Sequence, residues 1–415
     1  MKTSLRILLS VLFLGGGLTV SAQDSQLQHY RPAGQDGLNV FEAPKETDPE
    51  PFDGLKVKIG GAFAIQFQGL SQTNSGDSLP ELGSNFNLPA ANLDLDVQLQ
   101  DGLRMHLRTY LSSRHHNESW VKGGYIQMDN LNFISPGFLE GFMDIATIRI
   151  GLDEFNYGDA HFRRTDNANA IYNPFVGNYI MDAFSTEVFG ELTLQHNGLI
   201  GVVGLTNGKL NQSVVVNDNT DNKPSFFGKL GYDSQVSDDL RVRLTGSWYI
   251  NKGESTGTNL YGGDRAGSRY YDVMADNYTS GRFNPRFSEI TAIQINPFIK
   301  FNGLEFFGIY EIAKNSKDQN EGSFTQLGAE LLYRFGSKEQ LYVGGRYNQV
   351  SGESIKGAPS QEINRINIGG GWFMTKNIMA KLEYVNQKYE GAGYNGTKYQ
   401  GGEFSGIMLE AAISF

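Results

Sequence analysis

The chain has 415 residues, a formal net charge of −10, 51 glycines, 27 phenylalanines, 20 tyrosines and no cysteine. The lack of cysteine excludes a disulfide scaffold, a thiolate metal site and a lipid-modified N-terminal cysteine. The acidic charge argues against a nucleic-acid partner, and no apolar run of about 18 residues follows the N-terminal region, which excludes helical membrane spans.

The N-terminal residues have the pattern of a secretory signal. Lys2 and Arg6 precede an apolar stretch over residues 7–20, and small residues follow at Ser21 and Ala22. We therefore expect a signal peptide at residues 1–22, cleaved after Ala22. The alternative is a retained anchor helix, but the apolar stretch is shorter than the roughly 20 residues that a bilayer core needs.

Residues 23–54 carry Pro32, Pro44, Pro49 and Pro51 and show no usable periodicity. This composition predicts a flexible periplasmic leader. If the rest of the chain encloses a pore, as the following residues suggest, partial occlusion of that pore by this segment is the alternative.

Residues 55–415 alternate between apolar and polar side chains. Leu93, Leu95, Val97 and Leu99 alternate with Asp94, Asp96, Gln98 and Gln100, for example. A strand places alternate residues on opposite faces, whereas a helix would spread them around its surface. Strands of about 9–11 residues with this pattern are typical of transmembrane β-barrels. Sixteen strands are predicted, beginning near Leu55, Ala91, Leu103, Trp120, Phe142, Ala183, Leu199, Pro224, Asp239, Glu289, Leu304, Gly322, Glu339, Gln361, Asn377 and Gly402.

The predicted connections alternate between short turns and long polar loops. Asn197-Gly198 and Asn302-Gly303 are residues that tight hairpins favour, whereas residues 152–182 and 251–288 are long. The connection at residues 131–141 does not fit this alternation, because it is long where a short turn is expected. An even strand count with alternating connections predicts an all-β, antiparallel transmembrane barrel with both termini periplasmic. A soluble sandwich is the alternative fold.

The last strand supports the membrane barrel. Ile407, Leu409, Ala411, Ile413 and Phe415 share one face, with an aromatic residue at the very end. This pattern resembles the terminal signal that the barrel-assembly machinery reads. Phe415 is therefore the predicted assembly signal.

Residues 152–182 form the third external loop in this order of strands. We expect the loop to fold into the barrel, because it combines charged residues with several aromatic residues. Opposed charges across a narrow pore would select for polar solutes. An ordinary surface loop with internal ion pairs is the alternative. The predicted constriction residues are Asp153, Glu154, Asp159, His161, Arg163, Arg164 and Asp166.

The inward positions of the strands carry a slight excess of basic residues. With a tight turn at residues 100–102, Asp96 falls opposite His106 and Asp94 opposite Arg108. The excess suggests a weak anion preference. The predicted pore-lining residues are Asp94, Asp96, Arg104, Arg108, Arg241, Arg243, Glu330 and Arg334.

The stretch from Gly158 to Asn167 and the stretch from Ile171 to Tyr179 resemble the Bacteroidota relatives of the phosphate-selective porins O and P. The resemblance extends over the whole predicted barrel. It implies a sixteen-stranded, usually trimeric diffusion channel. The basic ladder of the phosphate-selective members has no residue-by-residue match here.

The sequence therefore predicts a bacterial outer-membrane porin for small polar solutes, with a preference for anions or phosphate as a finer expectation. The alternatives are a structural or adhesive barrel and a substrate-specific uptake channel. We expect no enzyme activity. The only candidates for a hydrolytic site are His115 and His116, and two adjacent histidines in a polar loop are usually solvated residues without a catalytic role. No cofactor or metal is expected, although the oxygen-rich residues 217–222 would be the place for calcium.

Overall fold

The computed structural model describes residues 27–45, 51–111, 119–164, 169–209, 214–216, 221–253, 260–262, 270–275, 281–317 and 321–415. Asp166, His115, His116, residues 217–220 and the signal peptide lie outside these ranges. Among the described residues, no helix is both long enough and apolar enough to cross a membrane.

Sixteen antiparallel strands close into one barrel, in which each strand pairs with its neighbours in sequence and β1 pairs with β16. The predicted fold class and strand number are confirmed. The strands are β1 Lys56–Thr73, β2 Asn85–Gln100, β3 Leu103–Leu111, β4 Ser119–Met128, β5 Ala146–Glu154, β6 Thr186–His196, β7 Leu199–Thr206, β8 Ser225–Gln235, β9 Leu240–Asn251, β10 Ile290–Phe301, β11 Leu304–Asn315, β12 Ser323–Phe335, β13 Leu341–Glu353, β14 Gln361–Thr375, β15 Ile378–Glu390 and β16 Glu403–Ser414.

The wall of the barrel is apolar outside and polar inside. Leu93 is 54% exposed on the outer face, whereas its neighbours Asp94 and Asp96 are buried on the inner face. The same alternation produces an outer belt of exposed Leu, Ile, Val and aromatic side chains along the other strands. Such a belt is the surface that a barrel presents to lipid.

The register of β2 and β3 places Asp94 opposite Arg108 and Asp96 opposite His106. Both predicted pairs are confirmed. They follow from the tight turn at residues 101–102 together with a register shift between Gln98 and Gln100, which moves the pairing by one residue.

Two strand starts differ from the prediction by more than three residues. β2 begins at Asn85, six residues before the predicted Ala91, and β5 begins at Ala146, after the predicted Phe142. The delay arises because residues 140–143 form a short helix, α1 Glu140–Met143, in the unusually long connection between β4 and β5. Met143 and Leu131 pack against Ala146, which explains why this apolar stretch is not part of the strand.

The last strand closes the barrel through the C-terminus. The Phe415 amide donates to the Gly61 carbonyl at 3.0 Å, and the Gly61 amide donates to the Phe415 carbonyl at 3.1 Å. The remaining regular elements are short 3₁₀ helices at Gly34–Gly37, Ala160–Arg163, Asn169–Tyr172, Val273–Ala275 and Ala392–Tyr394.

Candidate functional site

The candidate site is the barrel interior, where the inward polar side chains of the strands meet three segments of the chain. These are the leader (residues 27–45), the inner loop (described residues 155–164 and 169–185, between β5 and β6) and the long loop (described residues 260–262, 270–275 and 281–287, between β9 and β10). Buried polar groups are costly unless they are hydrogen-bonded. The contacts of these segments therefore show how the interior is filled.

The inner loop uses its backbone to satisfy interior side chains. The Val176 amide donates to Glu383 at 2.7 Å, and the Ile180 amide donates to Asn348 at 2.6 Å. The side chains of Arg346 and Arg365 donate to the loop carbonyls of Gly177 and Asn178 at 2.7 and 2.6 Å. Apolar loop residues are buried as well, including Phe155, Tyr157, Val176, Ile180 and Met181. Residues of this loop thus contact the inner face of β12, β13, β14 and β15.

Asp159 of the inner loop lies in a cationic pocket on the opposite wall. Arg243 donates two hydrogen bonds of 2.8 Å to its carboxylate, and Lys229 donates one of 2.8 Å. Thr245 adds a bond of 2.7 Å. Burial opposes ionisation of Asp159, but the charges of Arg243 and Lys229 outweigh it and hold its pKa below the usual value of an aspartate. Asp159 is therefore an ionised anchor at neutral pH.

The two neighbouring arginines of the inner loop are buried in separate ion pairs. Arg163 donates to both Glu305 and Glu330 at 2.6 Å. Arg164 pairs with Glu154 at 3.0 Å and with Asp182. Arg163 thus joins the loop to β11 and β12, whereas Arg164 joins it to the end of β5 and to Asp182 of the loop itself.

The long loop shares anchors with the inner loop. Glu311 accepts hydrogen bonds from Tyr157 of the inner loop at 3.0 Å and from Tyr261 of the long loop at 2.6 Å. Glu383 accepts one from Tyr270 at 2.8 Å besides that of the Val176 amide. Two strand glutamates therefore hold both loops together.

The leader is packed against the barrel interior at the end that carries the short turns. Gln28 donates to Asp101 at 3.0 Å, the Gln35 amide donates to the Lys376 carbonyl at 2.6 Å, and Lys45 donates to the Asp129 carbonyl at 2.7 Å. Asn39 donates to Glu305 at 2.8 Å. Residues 27–45 thus contact the barrel at several points that their composition did not predict. These contacts are made at scattered positions and leave no periodic signal in the sequence.

A cavity of about 240 Å³ remains beside β2 to β6. It is smaller than the roughly 300–1,000 Å³ typical of sites for drug-sized molecules. Residues of the leader, the inner loop and the wall line it together. Its charged lining residues are Arg31, Arg104, Arg108, Arg149, Glu42, Asp94, Asp96, Asp129, Asp153, Glu154 and Glu191.

The charges around this cavity are nearly balanced. Glu42, Asp129 and Glu154 each pair with a cation outside the lining, namely Arg243, Lys45 and Arg164. The remaining four carboxylates, Asp94, Asp96, Asp153 and Glu191, face the four lining arginines. Direct pairs join Arg104 to Asp96, Arg108 to Asp94 and Arg149 to Glu191.

The structure divides the predicted site residues into two groups. Asp153, Glu154 and His161 line the cavity, as do Asp94, Asp96, Arg104 and Arg108. The other described residues do not line the cavity and are in ion pairs, namely Asp159, Arg163, Arg164, Arg241, Arg243, Glu330 and Arg334. Asp166 lies outside the described residues. Sequence reasoning missed Tyr30, Arg31 and Glu42 as lining residues, because nothing in the leader marks the positions that face the wall.

No protein-family model matches the sequence, and no curated protein matches it. Solved structures do match the fold. The outer membrane channel DcaP of Acinetobacter baumannii covers 87% of this chain and 98% of its own, with a TM-score of 0.55 and 11% identity. An anion-selective porin from Comamonas acidovorans covers 87% of this chain and 100% of its own, with a TM-score of 0.53 and 12% identity.

OmpT, an outer membrane protein of Vibrio cholerae, matches in its trimer form over 88% of this chain and 100% of its own, with a TM-score of 0.50 and 10% identity. The chain has the fold of outer-membrane porins. At these identities the likeness concerns the fold alone, so the function must be argued from the interior of this chain.

Proposed function

We propose that this protein is an outer-membrane porin through which small polar solutes diffuse passively. The observation that carries the proposal is the polar cavity of about 240 Å³ inside a closed barrel whose outer face is apolar. A barrel of sixteen strands leaves room for an aqueous lumen, and the inner loop and the leader narrow that lumen. The exposed apolar belt suits the outer membrane.

The balanced charge of the cavity lining favours weak ion selectivity. A strong preference for phosphate would require an excess of arginine or lysine along the path. Here each lining arginine except Arg31 pairs directly with a carboxylate in the lining. We therefore propose a general pore for small solutes, with no more than a weak anion preference.

The proposed partners follow from the fold. The trimer form of OmpT supports a homotrimer, and the terminal Phe415 supports recognition by the barrel-assembly machinery. A structural barrel is the second candidate, because the inner loop, the long loop and the leader fill part of the interior.

Swelling of proteoliposomes in neutral sugars tests the proposal. Arabinose and glucose should enter faster than the larger raffinose. Thr147→Trp, which fills the cavity from the inner face of β5, should slow all entry. Ile150→Trp is the matched control, since this residue of the same strand is 54% exposed on the outer face. Folded barrels that give no swelling would favour the structural candidate.

A further inference from the structure

Glu42 of the leader occupies a cationic pocket of the barrel wall. Its carboxylate lies 2.8 Å from the Arg243 guanidinium and 3.1 Å from the Lys229 ammonium, and it accepts a hydrogen bond of 3.0 Å from the Asn156 side chain. The Glu42 side chain is only 5% exposed. Hydrogen bonds that involve a charged group, as all three of these contacts do, are stronger than those between neutral groups.

The pocket is neutral only while Glu42 is in place. Among the described residues, its cations are Lys229, Arg241 and Arg243, and its other carboxylates are Asp159 and Asp233. Arg241 pairs with Asp233 at 2.7 Å, and Arg243 reaches Asp159, Asp233 and Glu42. Loss of Glu42 therefore leaves three cations facing two carboxylates, one uncompensated positive charge among buried groups.

The remaining leader contacts hold Glu42 in this position. Phe41 packs against Phe298, with 5.3 Å between ring centroids, and the Arg243 guanidinium lies 4.2 Å from the centre of the Phe41 ring. Arg241 donates to the Asn39 carbonyl at 2.9 Å. Asn39 and Phe41, which precede Glu42, thus both contact β9, and Phe41 also contacts β10, next to the cavity that Glu42 itself lines.

We infer that the leader is an internal ligand of the lumen, with Glu42 standing in for the carboxylate of a small solute at Lys229 and Arg243. When the leader withdraws, the cavity widens and the vacated pocket binds a small carboxylate anion. This inference rests on the proposed porin function. It adds that the chain itself regulates the width and the selectivity of the path.

The experiment compares Glu42→Gln with Asp36→Asn. Both substitutions remove one leader carboxylate, but Asp36 is 62% exposed and lies 3.8 Å from an exposed lysine, Lys376. Because the chain contains no cysteine, Ala43→Cys in each background reports leader release through its rate of maleimide labelling. Heat-modifiability on gels checks that each variant is a folded barrel.

We expect Glu42→Gln to raise the labelling rate about tenfold, the effect of losing a charged hydrogen-bond partner. Single-channel conductance should rise, the reversal potential in a KCl gradient should shift toward anions, and succinate should reduce the current. Asp36→Asn should leave all four measurements unchanged. Glu42→Lys, which repels Lys229 and Arg243, should exceed the effect of Glu42→Gln.

Labelling equal to wild type in both Glu42 variants would overturn the inference, because Glu42 would not hold the leader. Faster labelling with unchanged conductance would overturn it too, since the leader would not restrict the path. If wild type and folded variants all fail to conduct, the porin proposal itself fails, and the labelling rates still decide whether Glu42 anchors the leader.

Discussion

Replacing Arg163 with methionine removes the charge that joins the inner loop to the wall while keeping most of the side-chain length. Arg163 donates to Glu305 and Glu330 at 2.6 Å each, and its side chain is 3% exposed. Removing one partner of a buried ion pair typically costs about 3–5 kcal/mol, because the other charge stays buried. Here Arg334 and Arg346 still reach Glu305 and Glu330. We therefore expect the lower end, about 3 kcal/mol of unfolding free energy.

Chemical denaturation of the purified barrel measures this loss, with Lys356→Ala as control. Lys356 pairs with Glu321 at 3.3 Å, but both side chains are about 70% exposed, and such surface pairs contribute about 0–1 kcal/mol. The Arg163 variant should also show noisier single-channel currents as the inner loop loosens. A loss of stability no larger than that of the control would refute the claim that Arg163 anchors the loop.

Three further predictions concern the last residue, the inner loop and the contact between the inner loop and β12. Phe415→Asp should reduce the amount of heat-modifiable barrel in outer-membrane fractions, while normal assembly would exclude Phe415 as the signal. Deleting residues 157–181 should raise single-channel conductance, and an unchanged value would mean that this loop does not narrow the path. Gly328→Val should destabilise the protein by about 1–3 kcal/mol, the usual cost of overpacking, because a Cβ there would lie 2.9 Å from the Tyr179 ring. Gly246→Val, at a strand position with no atom within 4 Å of a Cβ, should be near neutral in the same denaturation assay.

The strands were predictable because lipid and lumen impose opposite chemistry on alternate residues. The pairs Asp94 with Arg108 and Asp96 with His106 were predictable from a three-residue turn at 100–102; the structure reaches the same register with a two-residue turn and a register shift between Gln98 and Gln100. The start of β5 was not predictable in this way, because Phe142 fits an apolar strand as well as it fits the short helix that packs beside it.

The ion-pair partners of the charged residues inside the barrel could not be predicted from the sequence. Arg163 meets Glu305 across 142 positions of the chain, and Glu42 and Arg243 are even farther apart in the sequence. Neither contact repeats with a strand or helix period, so no local pattern marks it. The leader shows this limit most clearly. Its prolines and its lack of periodicity predict an irregular segment, but they do not predict which strands it contacts.

Single-channel recording of the wild-type protein in a planar bilayer tests the central claim most directly. We expect a small, steady conductance, with a reversal potential close to zero in a KCl gradient. Three of the seven lining carboxylates pair with Arg243, Lys45 and Arg164 outside the lining, and the other four face the four lining arginines. Folded barrels without any conductance would contradict the porin proposal. A reversal potential close to that of a perfectly anion-selective pore would contradict the balanced cavity.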